Sequence, residues 1–250
     1  MRLLFQFVLV LILLLPFRKA SAERCVDRSY VKGYYYSSKY LCKKIIHPSD
    51  KLIVGTIAVT GAEMVLFTYD AQIKNYVQNW RTPQSDRITK FIEPIGRGYI
   101  PLGISAGIGL AGCLTHNECV TNAGLESFKA LIITDAVIGL LKYSIQRTRP
   151  YASNNPYNFH SIFNTRNNLS FPSGHTADAF AMATALCHYI PNKYYHIPIY
   201  LLATAVGLSR IHDNKHWASD VFMGAVIGTA VTKSILIQKK KYRTLINPIF

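Results

Sequence analysis

Six apolar stretches punctuate the chain, at about 52–69, 99–115, 125–143, 173–190, 197–210 and 216–237. Each is rich in Ala, Leu, Ile and Gly, and none alternates strictly between apolar and polar positions, so the pattern predicts helices rather than strands. Residues 23–51 break the pattern. They are basic and dense in tyrosine (Tyr30, Tyr34, Tyr35, Tyr36, Tyr40) and read as an irregular segment packed on the main domain. Longer polar segments lie at 70–98 and 144–172, and the second has the Asn, Pro and Ser content of a loop. No internal repeat appears. The expectation is an all-α fold, a single helical-bundle domain of about six core helices. An N-terminal segment and first helix (23–95) would precede a catalytic domain over 96–245.

The first 22 residues read as a leader. Arg2 is followed by an almost unbroken apolar run from Leu3 to Phe17, then by Arg18, Lys19 and the small-residue site Ala20-Ser21-Ala22. This is the layout of a secretory signal peptide, with an uncleaved anchor helix as the alternative. Glu23 and Arg24 before Cys25 argue against a lipoprotein signal. The expected location is therefore the periplasm or the outer face of the cytoplasmic membrane.

Composition narrows the partner. Half of the 250 residues are hydrophobic and 16% are charged, which excludes a disordered chain. Lys and Arg number 28 against 13 Asp and Glu, a net charge of +15. Such an excess points to an anionic partner: nucleic acid, an acidic membrane surface or a phosphorylated substrate. Export removes nucleic acid from that set. A mean hydropathy of +0.14 leaves soluble and membrane forms open. Five cysteines in an exported chain permit disulfides. Cys113–Cys119, around a short polar loop, and Cys25–Cys42 are the pairs suggested, with Cys187 a buried thiol. No CxxC pair is present, so a zinc site is not expected.

Three separated stretches carry unusual polar residues. Lys142 and Arg149-Pro150 stand in a K-x6-R-P spacing, Pro172-Ser173-Gly174-His175 opens an apolar helix, and Ser209-Arg210 is followed by His216 and Asp220. Lys142, Arg149 and Arg210 are three cations for which phosphate is the natural ligand. Taken singly each reads as a solvated surface charge, but three together in this company do not. A helix beginning at Ser173 would present free N–H groups and a positive dipole end to an anion, with the Ser173 hydroxyl and the Gly174 and His175 N–H groups as donors. His216 and Asp220 are four apart, so on a helix they share a face. The carboxylate can then hold one ring nitrogen and leave the other free to attack. His212 and Asp213 read as residues behind the site or in its loop.

Together the three stretches resemble the signature of the PAP2 superfamily, the type 2 phosphatidic acid phosphatases, bacterial class A acid phosphatases and vanadium haloperoxidases. The resemblance covers about residues 96–237 and is complete at every signature position. It implies that His216 is a nucleophile forming a phosphohistidine, that Asp220 orients it and that His175 is the general acid and then the base. It also implies that Lys142, Arg149, Ser173, Gly174 and Arg210 bind phosphate and that neither a metal nor another cofactor is needed. The expected activity is hydrolysis of phosphate monoesters or diphosphates. The expected substrates are lipid phosphates such as phosphatidic acid, an isoprenyl diphosphate or lipid A. A non-specific acid phosphatase on small esters and a lipid phosphotransferase remain as alternatives, and the oligomeric state is not legible.

Topology adds an argument. If all six apolar helices crossed a membrane, three would precede the site, and a chain starting outside would carry its site to the cytoplasm. The resemblance implies an outward-facing site. The Lys239-Lys240-Lys241 tail would also lie outside, against the positive-inside tendency. A soluble or membrane-surface-attached form is therefore favoured over an integral one. Tyr151, Tyr157 and Phe159 in the 144–172 loop are read either as contacts for a substrate chain or ring, or as anchors of a packed loop.

Overall fold

The computed structural model describes residues 28–161 and 169–246. The leader and Cys25 lie outside them. Among the described residues the chain is all-α, and its one β-bridge joins Arg147 to Phe159. Eight α-helices follow in order: α1 (Arg28–Ile46), α2 (Asp50–Asn79), α3 (Pro83–Ile92), α4 (Tyr99–Leu114), α5 (Glu118–Ile145), α6 (Gly174–Tyr189), α7 (His196–His212) and α8 (Ala218–Ile246). A short 3-10 turn, Glu93–Gly96, joins α3 to the helix that follows.

The six expected helices are all present as α2 and α4 to α8, but two expectations are corrected. The tyrosine-rich segment expected to be irregular forms α1, whose Tyr34 and Leu41 pack on the Ala130, Ile133, Val231 and Ile235 cluster. The polar segment 70–98 is also mostly helical. There α2 runs on to Asn79, and α3 starts behind a Thr82 capping box with Ser85. Part of the polarity at 70–98 serves neighbouring loops, which Asp70, Lys74 and Gln78 reach by hydrogen bonds, and other residues there, such as Asn75, Arg81 and Lys90, face water. The cysteine pairings are corrected as well. Cys113 is disulfide-bonded, but neither Cys42 nor Cys119 is its partner, and both keep their thiols. Asn117 accepts from the Val120 N–H and starts α5 at Glu118, which puts Cys119 in a helical first turn instead of a loop. Cys187 is a buried thiol.

The bundle centre is α6, buried against α5, α7 and α8. Its contact with α8 is very close, because side-chain carbons at Gly224 and Gly228 would fall 2.5 and 2.2 Å from the carbonyl oxygens of Ser173 and Ala177. That closeness sets the start of α6 directly beside the start of α8. Gln146, left-handed at φ 50°, ends α5 and turns the chain so that residues 147–150 run under the same end. One end of the bundle thus collects the end of α5, the start of α6, the end of α7 and the start of α8.

Outside this centre the molecule is apolar in an unusual way. Helix α2 has 30 residues, about 45 Å of helix at 1.5 Å per residue, and Ile53, Val54, Ile57, Met64 and Val65 on it are exposed. It and Ala218–Lys240 of α8 are long and apolar enough to cross a membrane. None of the apolar window of α2 is buried in the protein, against 44% of that of α8.

Candidate active site

At the end of the bundle where these termini meet lies a cavity of about 400 Å³ lined by Glu93, Arg97, Lys142, Arg149, Gly174, His175, Arg210, Lys215 and His216. Lys142 projects from the last turn of α5, and its Nζ donates to the Leu169 carbonyl at 2.7 Å. Arg149 follows the turn at Gln146. Arg210 sits in the last turn of α7, where Asp213 pairs with it and Glu93 lies 3.5 Å away. The turn from Arg210 to His216 is closed by the N–H groups of Lys215 and His216, both donating to the Arg210 carbonyl, with Asn214 left-handed at φ 56°.

His216 is buried, and its Nδ1 lies 3.6 Å from Asp220 Oδ2. This is longer than a hydrogen bond but correctly paired, and it leaves Nε2 as the nitrogen free for chemistry. Burial depresses the His216 imidazole to about 3, helped by Lys142 and Arg149 and opposed by Asp220, so the ring is neutral above pH 4. Asp220 does not line the cavity and is wholly buried behind His216. Its Oδ1 accepts from Arg147 at 2.7 Å, and its Oδ2 accepts from Ser170 Oγ at 2.5 Å and the Trp217 N–H at 2.8 Å.

The PAP2 superfamily model matches residues 123–243, the stretch that holds all three motifs. Over this segment, a little under half of the chain, the sequence is similar to the PAP2 superfamily. Over 235 residues the chain is 25% identical to a lipid A 1-phosphatase of Porphyromonas gingivalis, covering 91% of this chain and 48% of that protein. The chain thus spans about half the length of that curated relative. Among solved structures, LpxE of Aquifex aeolicus matches with a TM-score of 0.53 and 25% identity, over 67% of this chain and 94% of that one. A transmembrane PAP2 type phosphatidylglycerolphosphate phosphatase of Bacillus subtilis matches with a TM-score of 0.56 over 84% of this chain and 96% of that one. At 21% identity the second shows the shared fold alone.

One motif residue of this chain sits differently from expectation. Ser173 is fully buried and does not face the cavity. Its Oγ accepts from Thr176 at 2.9 Å, and its N–H donates to the Asp220 carbonyl at 2.9 Å, so it ties the start of α6 to the start of α8. Gly174 does face the cavity, and a side-chain carbon there would meet protein only at 3.7 Å or more, so the room it leaves opens toward the cavity. Tyr157 and Phe159 pack on Phe67 of α2, with ring centroids at 5.2 and 6.1 Å, which is the packed-loop alternative. Tyr151 lies under Lys215 Nζ at 4.7 Å.

Sequence reasoning missed Glu93, Arg97 and Lys215 in the cavity wall. Glu93 Oε1 lies 3.0 Å from His175 Nε2, and Glu93 Oε2 accepts from Arg97 at 2.7 Å. Gly96 makes this approach possible, since a side-chain carbon there would sit 2.7 Å from the His175 carbonyl. Burial works to raise Glu93, but Arg97, Arg210 and His175 outweigh it and hold the carboxyl below its ordinary range. Burial also lowers His175, to about 4, with Arg210 adding to the fall and Glu93 opposing it. The Glu93/Arg97 spacing, four apart beside a Pro-Ile-Gly turn, was the one available signal.

Proposed function

We propose that this chain is a membrane-embedded lipid phosphate phosphatase that removes the 1-phosphate of a lipid A-type glycolipid through a phosphohistidine on His216. The observation that carries the reading is the convergence of Lys142, Arg149, Arg210, His175 and His216 on one cavity, with Asp220 behind the nucleophile. The similarity to lipid A 1-phosphatase along 91% of this chain supports the glycolipid substrate.

The chemistry runs in two balanced halves. The neutral Nε2 of His216 forms a bond to phosphorus in line with the ester oxygen, the P–O bond breaks, and that oxygen takes a proton from His175. A water oxygen then attacks phosphorus, its proton passes to His175, the P–N bond breaks and inorganic phosphate leaves. Lys142, Arg149 and Arg210 hold the equatorial oxygens, and the opening N–H groups of α6 face the same space. Glu93 accepts from His175 Nε2 and favours the imidazolium needed in the first half, which leaves Nδ1 to carry the transferred proton.

The membrane reading rests on α2 and α8, taken as crossing segments. Burying the exposed apolar side chains of α2 in lipid removes a surface that water would not tolerate in so long a run. The topological count that favoured a soluble form took all six apolar helices as crossing, whereas among the described residues Asp50–Asn79 and Ala218–Lys240 are the ones long and apolar enough to do so.

Purified full-length chain should release inorganic phosphate from lipid A faster than from phosphatidic acid or p-nitrophenyl phosphate, with chelator making no difference. His216→Ala should lose at least ~10³-fold in kcat with an unchanged circular dichroism spectrum. Near-normal turnover in that variant overturns the nucleophile. Preference for the water-soluble ester overturns the substrate class, and release of the chain by alkaline carbonate overturns the membrane placement.

A further inference from the structure

Arg147 stands inside the K-x6-R-P stretch at a position that the motif leaves open, and the mechanism above makes no use of it. It is completely buried. Its Nε donates to the Pro156 carbonyl at 3.0 Å. Its Nη1 donates to Ser219 Oγ and to Asp220 Oδ1, both at 2.7 Å, and its Nη2 donates to Asp70 Oδ2 at 2.7 Å. Phe67 covers the guanidinium face at 4.3 Å. Asp70, also completely buried, accepts in addition from the Ser219 N–H at 3.0 Å and from Ser219 Oγ at 2.5 Å. It belongs to α2, which lies ahead of the family-matched segment. The same face of α2 grips both motif-bearing loops at four-residue steps. Lys74 Nζ donates to the Pro150 carbonyl at 2.7 Å, and Gln78 Nε2 donates to the His212 carbonyl at 3.0 Å.

We infer that Arg147 and Asp70 are positioning residues for the His216–Asp220 pair, so that helix α2 completes the active site from outside the family-matched segment. The inference rests on the proposed phosphohistidine chemistry. Its physical content is twofold. A buried guanidinium is a rigid planar fork, and one clamped by Asp70 on one arm fixes the plane of the carboxylate on the other. The cluster also sets two carboxylates against one guanidinium. Its surplus negative charge lies behind Asp220, where it is complementary to the positive charge that develops on the His216 ring as nitrogen bonds to phosphorus.

The test uses the full chain in detergent, with lipid A as substrate and a double-mutant design. Arg147→Met should lower kcat about 10- to 100-fold, the range that groups orienting a site residue commonly carry, with KM within about twofold. In an Asp220→Asn background the same change should cost no more than about twofold, because the group it orients is already gone. Equal losses in both backgrounds overturn the inference, as does an unchanged kcat in the single variant. Should Arg147→Met fail to fold, Asp70→Asn keeps the shape and should lower kcat about 3- to 10-fold with the same dependence on Asp220. Vanadate binding, read by calorimetry, separates this inference from the function. If the wild type turns over no phosphate ester, the proposed function falls. The inference then stands only if vanadate still binds and Arg147→Met or Asp70→Asn weakens it about tenfold or more. Unweakened binding in the variants, or none in the wild type, overturns it.

Discussion

Among the described residues, two buried ionic clusters sit along α5, one within its first half and one just past its end. In the first, Glu126 pairs with Lys129, whose Nζ lies 2.8 Å from Oε2, and with Lys239, at 3.0 Å from Oε1. Lys239 also donates to Asn122. Just past its end, Arg147 bridges Asp70 and Asp220. Glu126 and Lys129 are almost closed to water, as are all three members of the Arg147 cluster, while Lys239 lies at the edge with a third of its side chain exposed. They differ in where their contacts lead. The Glu126 cluster joins α5 to α8 and, through Lys129 over the Tyr30 ring at 5.1 Å, to α1. It touches no cavity residue and stands about 24 Å along the helix from Lys142. The Arg147 cluster leads directly to Asp220 and His216. Burial of charge therefore marks no function by itself, and the destination of the hydrogen bonds decides.

The largest effect that sharpens this contrast is on stability. Lys129→Met leaves Glu126 buried with Lys239 alone, and losing one of two hydrogen-bonded partners of a buried acid costs about 1–3 kcal/mol. Thermal or denaturant unfolding in detergent should show that loss, with kcat on lipid A within about twofold of wild type. A kcat that falls with Lys129 as it falls with Arg147 would erase the distinction between the clusters.

The same contrast explains what the chain discloses before folding. Lys142, Arg149, His175, Arg210, His216 and Asp220 stand in fixed spacings because each set lies on one helix end or across one short turn between helices, so local geometry writes itself into the sequence. Six helices were legible through long stretches rich in apolar residues. Asp70, Glu93 and Arg97 reach the site from segments with no motif of their own, and their positions depend on how α2 and the 93–96 turn dock, a long-range fact without local spacing. Helix α1 was hidden because its tyrosines and lysines lack an apolar run, although they suffice once α5 and α8 supply the other side. Ser173 shows the reverse case, a motif residue whose hydroxyl is spent on Thr176 and not on the cavity.

A smaller effect separates the open wall of the site from its buried support. Glu93 lies on the cavity side, and it opposes the fall of His175 to about 4. With a depressed value, the protonated His175 that the first half-reaction uses becomes more abundant in the free enzyme as pH falls toward 4, while His216, at about 3, stays largely neutral. The kcat/KM profile should therefore rise from pH 7 toward pH 5. Glu93→Gln removes the supporting charge and lowers His175 further, so kcat/KM at pH 6 should drop about 3- to 10-fold, with the profile displaced to lower pH. A profile that falls in height without moving would show that Glu93 only packs.

The smallest expected effect concerns a second acid on α2. Glu63 lies seven residues before Asp70, and both of its carboxylate oxygens are buried without a hydrogen-bond partner, whereas those of Asp70 are engaged by Arg147 and Ser219. An acid that satisfies nothing contributes no orientation to the site. Its burial is a cost that an apolar side chain of similar size removes. Glu63→Leu should leave kcat within about twofold and keep stability within about 1 kcal/mol, with any change toward a higher Tm. Steady-state kinetics and thermal unfolding of that one variant beside Asp70→Asn decide the matter. A drop in kcat comparable to that of Asp70→Asn would mean that Glu63 acts on Asp220 through space, and that the hydrogen-bond route from α2 is not what holds the nucleophile in line.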